Sequence, residues 1–432
     1  MLRGSSGRGS RAGRVARRTM LGLALALVVM VVSGCQTFTF YRQAIKGQYQ
    51  IVSHEQKIEK LLGDPQTPPR LKDKLKLVQD MRAFARWDLK LPVDGHYEKY
   101  ADVHRPFVVW NVEAAPEFSL KAKSWWYPFV GHLNYRGYFS ELGARKYGGV
   151  LEEKGYDVYV GGVAAYSTLG WFKDPVLNTF IFDAEADLAE TIFHELGHQR
   201  VFARGDTDFN EAFATTVGQE GARRWLRAKG DTNACTRYEA ELRRTDQFVH
   251  LIAGARDELA ALYGEDPAPG GNVKSGRKGT ALPPAELRQK KQRILEGLER
   301  SYAELKAREW PGDTQYDGWF ARGLNNAKLN SVAQYYDLLP AFKRLLEQNG
   351  GDLEAFYAAA KELARKPKKE RDEKLKALGG EEVGRGGRKG ADLKRHQTPS
   401  SKHQRNLKHQ TSNIRPQGSP KREGTNIDDG SR

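Results

Sequence analysis

The sequence predicts an α+β chain, mostly helical, in which a small β-sheet precedes a helix carrying His194-Glu195-Leu196-Gly197-His198. Three observations support this. Long runs of helix formers occupy both ends of the folded part. A stretch from Val103 to Phe182 turns to Val, Tyr, Phe and Trp broken by Gly and Pro. Beyond Gly218 the pattern is helical almost to the end.

In chain order, Tyr41–Leu62 reads as a helix that stops at Gly63-Asp64-Pro65, and Leu71–Leu89 as a second that stops at Leu91-Pro92. The β-type stretch contains FVVWNVEAAP, WWYPFVGHLNYRGYF and YDVYVGGVAAYSTLGWF, with a short helix over Ser140–Lys154. Asp183 is placed to cap the H-E-x-x-H helix, which can run to about Ala203 before Gly205 stops it. Asp206 and Asp208 are N-cap candidates for the next helix, Phe209–Lys229. Thr236–Tyr263 and Pro284–Trp310 read as long helices around a Pro/Gly loop, Gly264–Pro283, followed by Asn325–Gln348 and Leu353–Arg365. Four segments result: 1–34 as a leader, 35–182 as helices and β-rich part, 183–365 as the helical remainder of the same unit, and 366–432 as a basic, disordered tail.

The net charge of +16 is unevenly spread. Residues 1–34 hold six arginines and no acid, and 381–432 hold twelve Lys/Arg against six Asp/Glu, so the two tails carry +12. The folded body is close to neutral, which argues against nucleic acid as a partner. Two cysteines, Cys35 and Cys235, exclude a disulfide framework.

The arginine-rich leader runs into an apolar stretch, Leu21–Val32, and then Val32-Ser33-Gly34-Cys35. Twelve helical residues span about 18 Å, short of the ~30 Å hydrocarbon core, so the stretch reads as a secretory signal. Its end resembles a bacterial lipobox, which makes Cys35 the lipidation site. Gln36 stands where an Asp would signal inner-membrane retention, so the expected location is the outer membrane of a Gram-negative envelope, facing the periplasm. Oligomeric state is not legible in the sequence.

His194 and His198 stand at i and i+4, so both imidazoles leave one helix face and can share a Zn²⁺, with Glu195 beside the open position. A glycine and a third histidine downstream are absent, since Val201 and Arg204 occupy those positions. An antiparallel helix pair turning at Arg204-Gly205 sets Glu211 opposite His198, where a carboxylate completes a His₂Glu set. Asp206, Asp208 and Glu220 are competing donors. Such a site, one zinc per chain, lowers the pKa of a bound water, and Glu195 serves as general base. Tyr135 and Tyr166 are candidates to stabilise the oxyanion. Ala164–Gly170 could be an edge strand that pairs with an extended peptide.

The lipobox, GQYQIV, FVVWNVEAAPEFSL, YRGYF, AAYSTLGWFKDPVLNT, IFHELGHQ and FNEAFATTVGQEGARRWL resemble, in this order, a proteobacterial family named putative aminopeptidases, predicted zinc-dependent lipoproteins. The likeness covers about residues 35–365. It implies a zincin-like, gluzincin-type peptidase with His194, His198 and Glu211 as ligands and Glu195 as base. Asn210-Glu211 also resembles the Asn-Glu-Gly-Phe-Ala ligand segment of larger zinc aminopeptidases. The spacing from His198 to Glu211 is shorter than in well-known gluzincins.

The expected function is thus zinc-dependent hydrolysis of peptides in the cell envelope, by an aminopeptidase. An endopeptidase of the same chemistry is the alternative, as is a non-catalytic lipoprotein with a structural zinc. A structural site has no use for Glu195. An aminopeptidase needs an acid to hold the substrate's α-amine, and no sequence feature identifies it.

Overall fold

The computed structural model describes residues 34–127, 131–165, 173–265 and 282–385. The chain divides into two units, Met1–Glu55 and Gln56–Arg432. In the first, the described element is α1 (Gly34–Ser53). The helix expected over Tyr41–Leu62 is broken, because β1 (Glu55–Lys57) separates α1 from α2 (Ile58–Gly63). Ser53 Oγ and His54 Nδ1 both engage the Gln50 carbonyl, at 3.0 and 2.6 Å, and so end the first helix from within.

In the second unit α3 (Pro69–Trp87) begins with Pro at its first position, where a missing N–H costs nothing. Its Leu75, Val78, Met81 and Ala85 are buried at the 3–4 spacing of one apolar face. The β-rich stretch follows. Strand β2 (Lys99–Ala101) pairs in parallel with the later β8 (Val176–Leu177). The longest strands are β3 (Val109–Pro116) and β7 (Tyr156–Val163), antiparallel with Glu113 opposite Tyr159. A short strand, β6 (Arg136–Tyr138), lines the other side of β3. β4 (Trp125–Tyr127) and β5 (Gly131–Leu133) form a separate ladder. Between β6 and β7 runs α4 (Glu141–Glu152), within the short helix expected over Ser140–Lys154 and capped by the Ser140 side chain, which accepts from Gly143 N–H.

The helical part is α5 (Glu185–Arg200), α6 (Thr207–Ala228), α7 (Thr232–Tyr263), α8 (Pro284–Glu309), the one-turn α9 (Asp317–Phe320), α10 (Asn326–Tyr336), α11 (Leu339–Gln348), α12 (Leu353–Arg365) and α13 (Lys368–Arg385). Its core joins Phe248, Ile252 and Leu259 of α7 to Leu295, Leu298 and Tyr302 of α8, with Trp319 and Phe320 inserted between them. Stacked pairs Phe248–Tyr316 and Tyr302–Phe320, with ring centroids 4.1 and 4.0 Å apart, fasten α9 into it.

The structure departs from the sequence reading at three further points. The helix expected over Asn325–Gln348 is two, because Pro340 has no N–H to continue the first and instead opens α11. Asp183 is not the cap of α5. Ala184 is, without a side-chain hydrogen bond, and Glu185 and Asp187 in the first turn answer the helix dipole instead. The disordered tail expected from residue 366 starts with a helix, α13, whose Arg371 and Leu375 are buried. Residues 1–33 of the leader, most of the loop expected at Gly264–Pro283, residues 166–170 of the expected edge strand including Tyr166, and residues 386–432 lie outside the described residues, as does the side chain of Cys35. The described Ala164 and Ala165 follow the end of β7 and are not in a strand. Among the described residues no helix is long and apolar enough to cross a membrane.

Candidate metal centre

Helix α5 is buried on every side from Asp187 to His198, although it contains three acids and two histidines. Polar groups survive there only with partners. Glu190 accepts a 2.5 Å hydrogen bond from Tyr238, and Thr191 returns its hydroxyl to the Asp187 carbonyl at 2.8 Å. His194 and His198 point towards α6, where Glu211 meets them.

The meeting depends on two glycines. A Cβ on Gly197 would stand 3.3 Å from Ala214 Cα, and one on Gly218 would stand 2.8 Å from the Glu190 carbonyl oxygen and 3.1 Å from His194 Cβ. A helix-interior glycine costs roughly 1 kcal/mol relative to alanine. Here it lets the two backbones approach closely enough for a glutamate to span the gap.

The turn is built to a fixed shape. Helix α5 ends at Arg200, earlier than the expected Ala203, because Val201 is extended (φ −140°, ψ 131°). Gly205 takes the left-handed conformation (φ +74°) at the expected reversal. Asp206 caps α6 by accepting from Phe209 N–H at 3.4 Å. Asn210 then clamps the loop with two bonds: its Nδ2 donates to the Ala203 carbonyl at 2.8 Å, and its Oδ1 accepts from the Ala203 N–H at 2.7 Å. With Asn210 fixed, the next residue is fixed too, and that residue is Glu211.

The resulting donor set is compact. His194 Nε2 lies 3.2 Å from His198 Nε2 and 3.3 Å from Glu211 Oε2, and His198 Nε2 lies 3.7 Å from Glu211 Oε1. Ligands on a tetrahedral zinc, each about 2.0–2.1 Å from the ion, stand about 3.3–3.4 Å from one another. All three side chains are buried, and among the described residues they are the one such group able to hold a metal ion. Two imidazoles and a carboxylate in this spacing fit a divalent ion.

The competing donors are engaged elsewhere or turned away. Glu220 accepts from Arg224 Nε at 2.8 Å. Asp206 is bound by Arg371 through Nε (2.9 Å) and Nη2 (2.6 Å), and by Lys368 at 3.2 Å. Asp208 lines a separate cavity.

A family model described as "Putative aminopeptidase" matches residues 39–375. The chain belongs to this aminopeptidase family. The matched span takes in all three donors and extends through Arg371 on α13. No curated protein and no solved structure matches the chain.

Of the two tyrosines picked out in the sequence of this family member, Tyr135 comes near the donors. Burial, reinforced by the charges of Glu211, Glu195 and Glu113, pushes its phenol well above the usual range, so it remains an O–H donor. Tyr166 lies outside the described residues. Sequence reasoning missed Asn210 as the clamp, Gly218 as the point of contact and Arg371 as the partner of Asp206. A signal for Gly218 existed, since a glycine deep inside a helical pattern usually has a packing reason.

Proposed function

We propose that the chain is a zinc-dependent peptide hydrolase of the bacterial cell envelope, and specifically an aminopeptidase. The observation that carries this reading is the convergence of His194, His198 and Glu211, with Glu195 buried on the same helix. Membership of the aminopeptidase family supports the hydrolytic class.

The two Nε2 atoms and the Glu211 carboxylate would hold one zinc. Bound there, zinc supplies Lewis acidity, polarising a scissile carbonyl and making a water acidic enough to attack near neutral pH. Glu195, adjacent to His194, accepts the attacking water's proton on its carboxylate and returns it to the leaving amine. The Tyr135 phenol, kept protonated by burial, donates to the developing oxyanion. The Arg-rich leader, the apolar stretch Leu21–Val32 and the small residues before Cys35 support export and lipid anchoring at Cys35 in the outer membrane. Peptides within the periplasm are the substrates such an anchor would reach.

The test is metal analysis of the purified chain together with hydrolysis of a peptide library. Wild type should contain one zinc and cut peptides. Glu195→Gln should keep the zinc and lose hydrolysis. Undiminished hydrolysis by Glu195→Gln would remove the base from this reading.

A further inference from the structure

A cavity of about 410 Å³ adjoins the hairpin, and Glu113, Lys121, Asn134, Asp208, Arg256, Asn330 and Asp337 contribute its polar wall. Asp337 is matched by Arg256, whose Nη1 stands 3.2 Å away. The Glu113 and Asp208 carboxyls have no hydrogen-bond or ion-pair partner among the described residues. Asn330 is only 9% exposed. Its Nδ2 donates to the Leu120 carbonyl at 2.8 Å, which leaves Oδ1 as an acceptor with no partner among the described residues. Three polar groups from β3, α6 and α10 thus face one space without a partner, beside the Lys121 and Arg256 cations that also line it. A buried acceptor left unmet costs about 1–3 kcal/mol, so the pattern calls for a ligand that donates. An ammonium offers three N–H groups and accepts none.

The cavity and the metal centre share helix α6. Asp208 precedes Glu211 by three residues on α6, a rise of about 4.5 Å. One residue of extended substrate spans about 3.3–3.6 Å. Asn134 precedes Tyr135, whose phenol lies in the combined field of Glu195, Glu211 and Glu113. Glu113 and Tyr135 are the next positions on the β3–β6 ladder after Val112 and Arg136.

We propose that Glu113, Asp208 and Asn330 seat the free α-ammonium of the substrate, so that the first peptide bond is the one presented at His194, His198 and Glu211. This deepens the hydrolytic reading above and rests on it. Burial holds the Glu113 carboxyl at about 8; burial and the charges of Asp206 and Asp337 hold the Asp208 carboxyl at about 7, against the opposing pull of Lys368 and Arg256. A seated ammonium would bring both down.

Calorimetry on the zinc-loaded full chain tests the seat apart from catalysis, with L-leucinol, an α-amine with no bond to cut, and N-acetyl-leucinol as its control. Wild type should bind leucinol and not the acetylated form. Glu113→Gln and Asp208→Asn should each weaken leucinol about 10- to 100-fold, with zinc content unchanged and cooperative unfolding retained. Wild-type affinity in both variants, or equal binding of the acetylated compound, overturns the proposal. A parallel assay compares one tetrapeptide with a free and with an acetylated N-terminus. Equal cleavage of both sinks the seat while sparing the hydrolase. Leucinol binding that depends on Glu113, with neither peptide cut, keeps the seat and sinks the hydrolase.

Discussion

Gly218 rests against the carbonyl of Glu190: an added Cβ would lie 2.8 Å from that oxygen. The two helices of the hairpin therefore touch backbone to backbone one turn from His194, and any side chain at Gly218 must push them apart.

Gly218→Ala should accordingly cost about 1–3 kcal/mol of stability, the range for overpacking a tight core. Zinc affinity should fall with it, because Glu211 is carried away from the histidines. Chemical denaturation and a competition titration with a zinc chelator measure the two effects. A variant as stable as wild type would show that the helices can separate without strain.

Metal removal offers a second check. A ligand that binds only the folded state raises stability by RT ln(1 + [L]/Kd). A chelator should therefore lower the melting temperature of wild type and leave that of Glu211→Ala unmoved. Equal drops in both proteins would place the stabilising metal elsewhere.

Stability should also depend on pH through Glu113, whose carboxyl burial raises from 4.5 to about 8. Between those values the unfolded chain has released that proton and the folded chain retains it. The folded state then binds more protons, so stability falls as pH rises through the interval. Glu113→Gln removes this titration and should make the fall in melting temperature between about pH 5 and about 8 shallower, leaving the part due to Asp208, which is raised to about 7. Wild-type slope in the variant would assign the dependence to other groups.

Arg371→Ala leaves Asp206 buried with Lys368 as its remaining cation. Removing one member of a buried pair costs about 3–5 kcal/mol, and the lysine holds the expected loss near the lower end. Differential scanning calorimetry reads the loss directly, and Arg371→Lys should recover only part of it, since an ammonium cannot make the two parallel bonds of a guanidinium.

At the other end of the chain, Cys35→Ser should abolish incorporation of labelled fatty acid and release the protein from the membrane fraction. Persistent labelling would mean another residue is acylated.

The metal centre was largely legible in the sequence because it is local. Spacing puts His194 and His198 on one face, and a single glycine marks the reversal that returns Glu211 to them. Two local features misled instead. Val201 leaves the helix three residues before the pattern suggests, and Pro340 splits a run of good helix formers. The cavity was not legible at all, since Glu113 and Asn330 are 217 positions apart and only the packing of α10 against β3 brings them together. Helix α13 was read as tail for a related reason. Its composition is that of a solvated segment, and only Arg371 and Leu375, one turn apart, are fully buried among its described side chains.

The bond between Arg371 and Asp206 joins residues 165 positions apart. In a chain made from its N-terminus, the histidines and Glu211 exist long before Arg371 arrives to anchor the turn between them. The hairpin is thus latched late: Asp206 meets its guanidinium partner only once the chain has been made as far as α13.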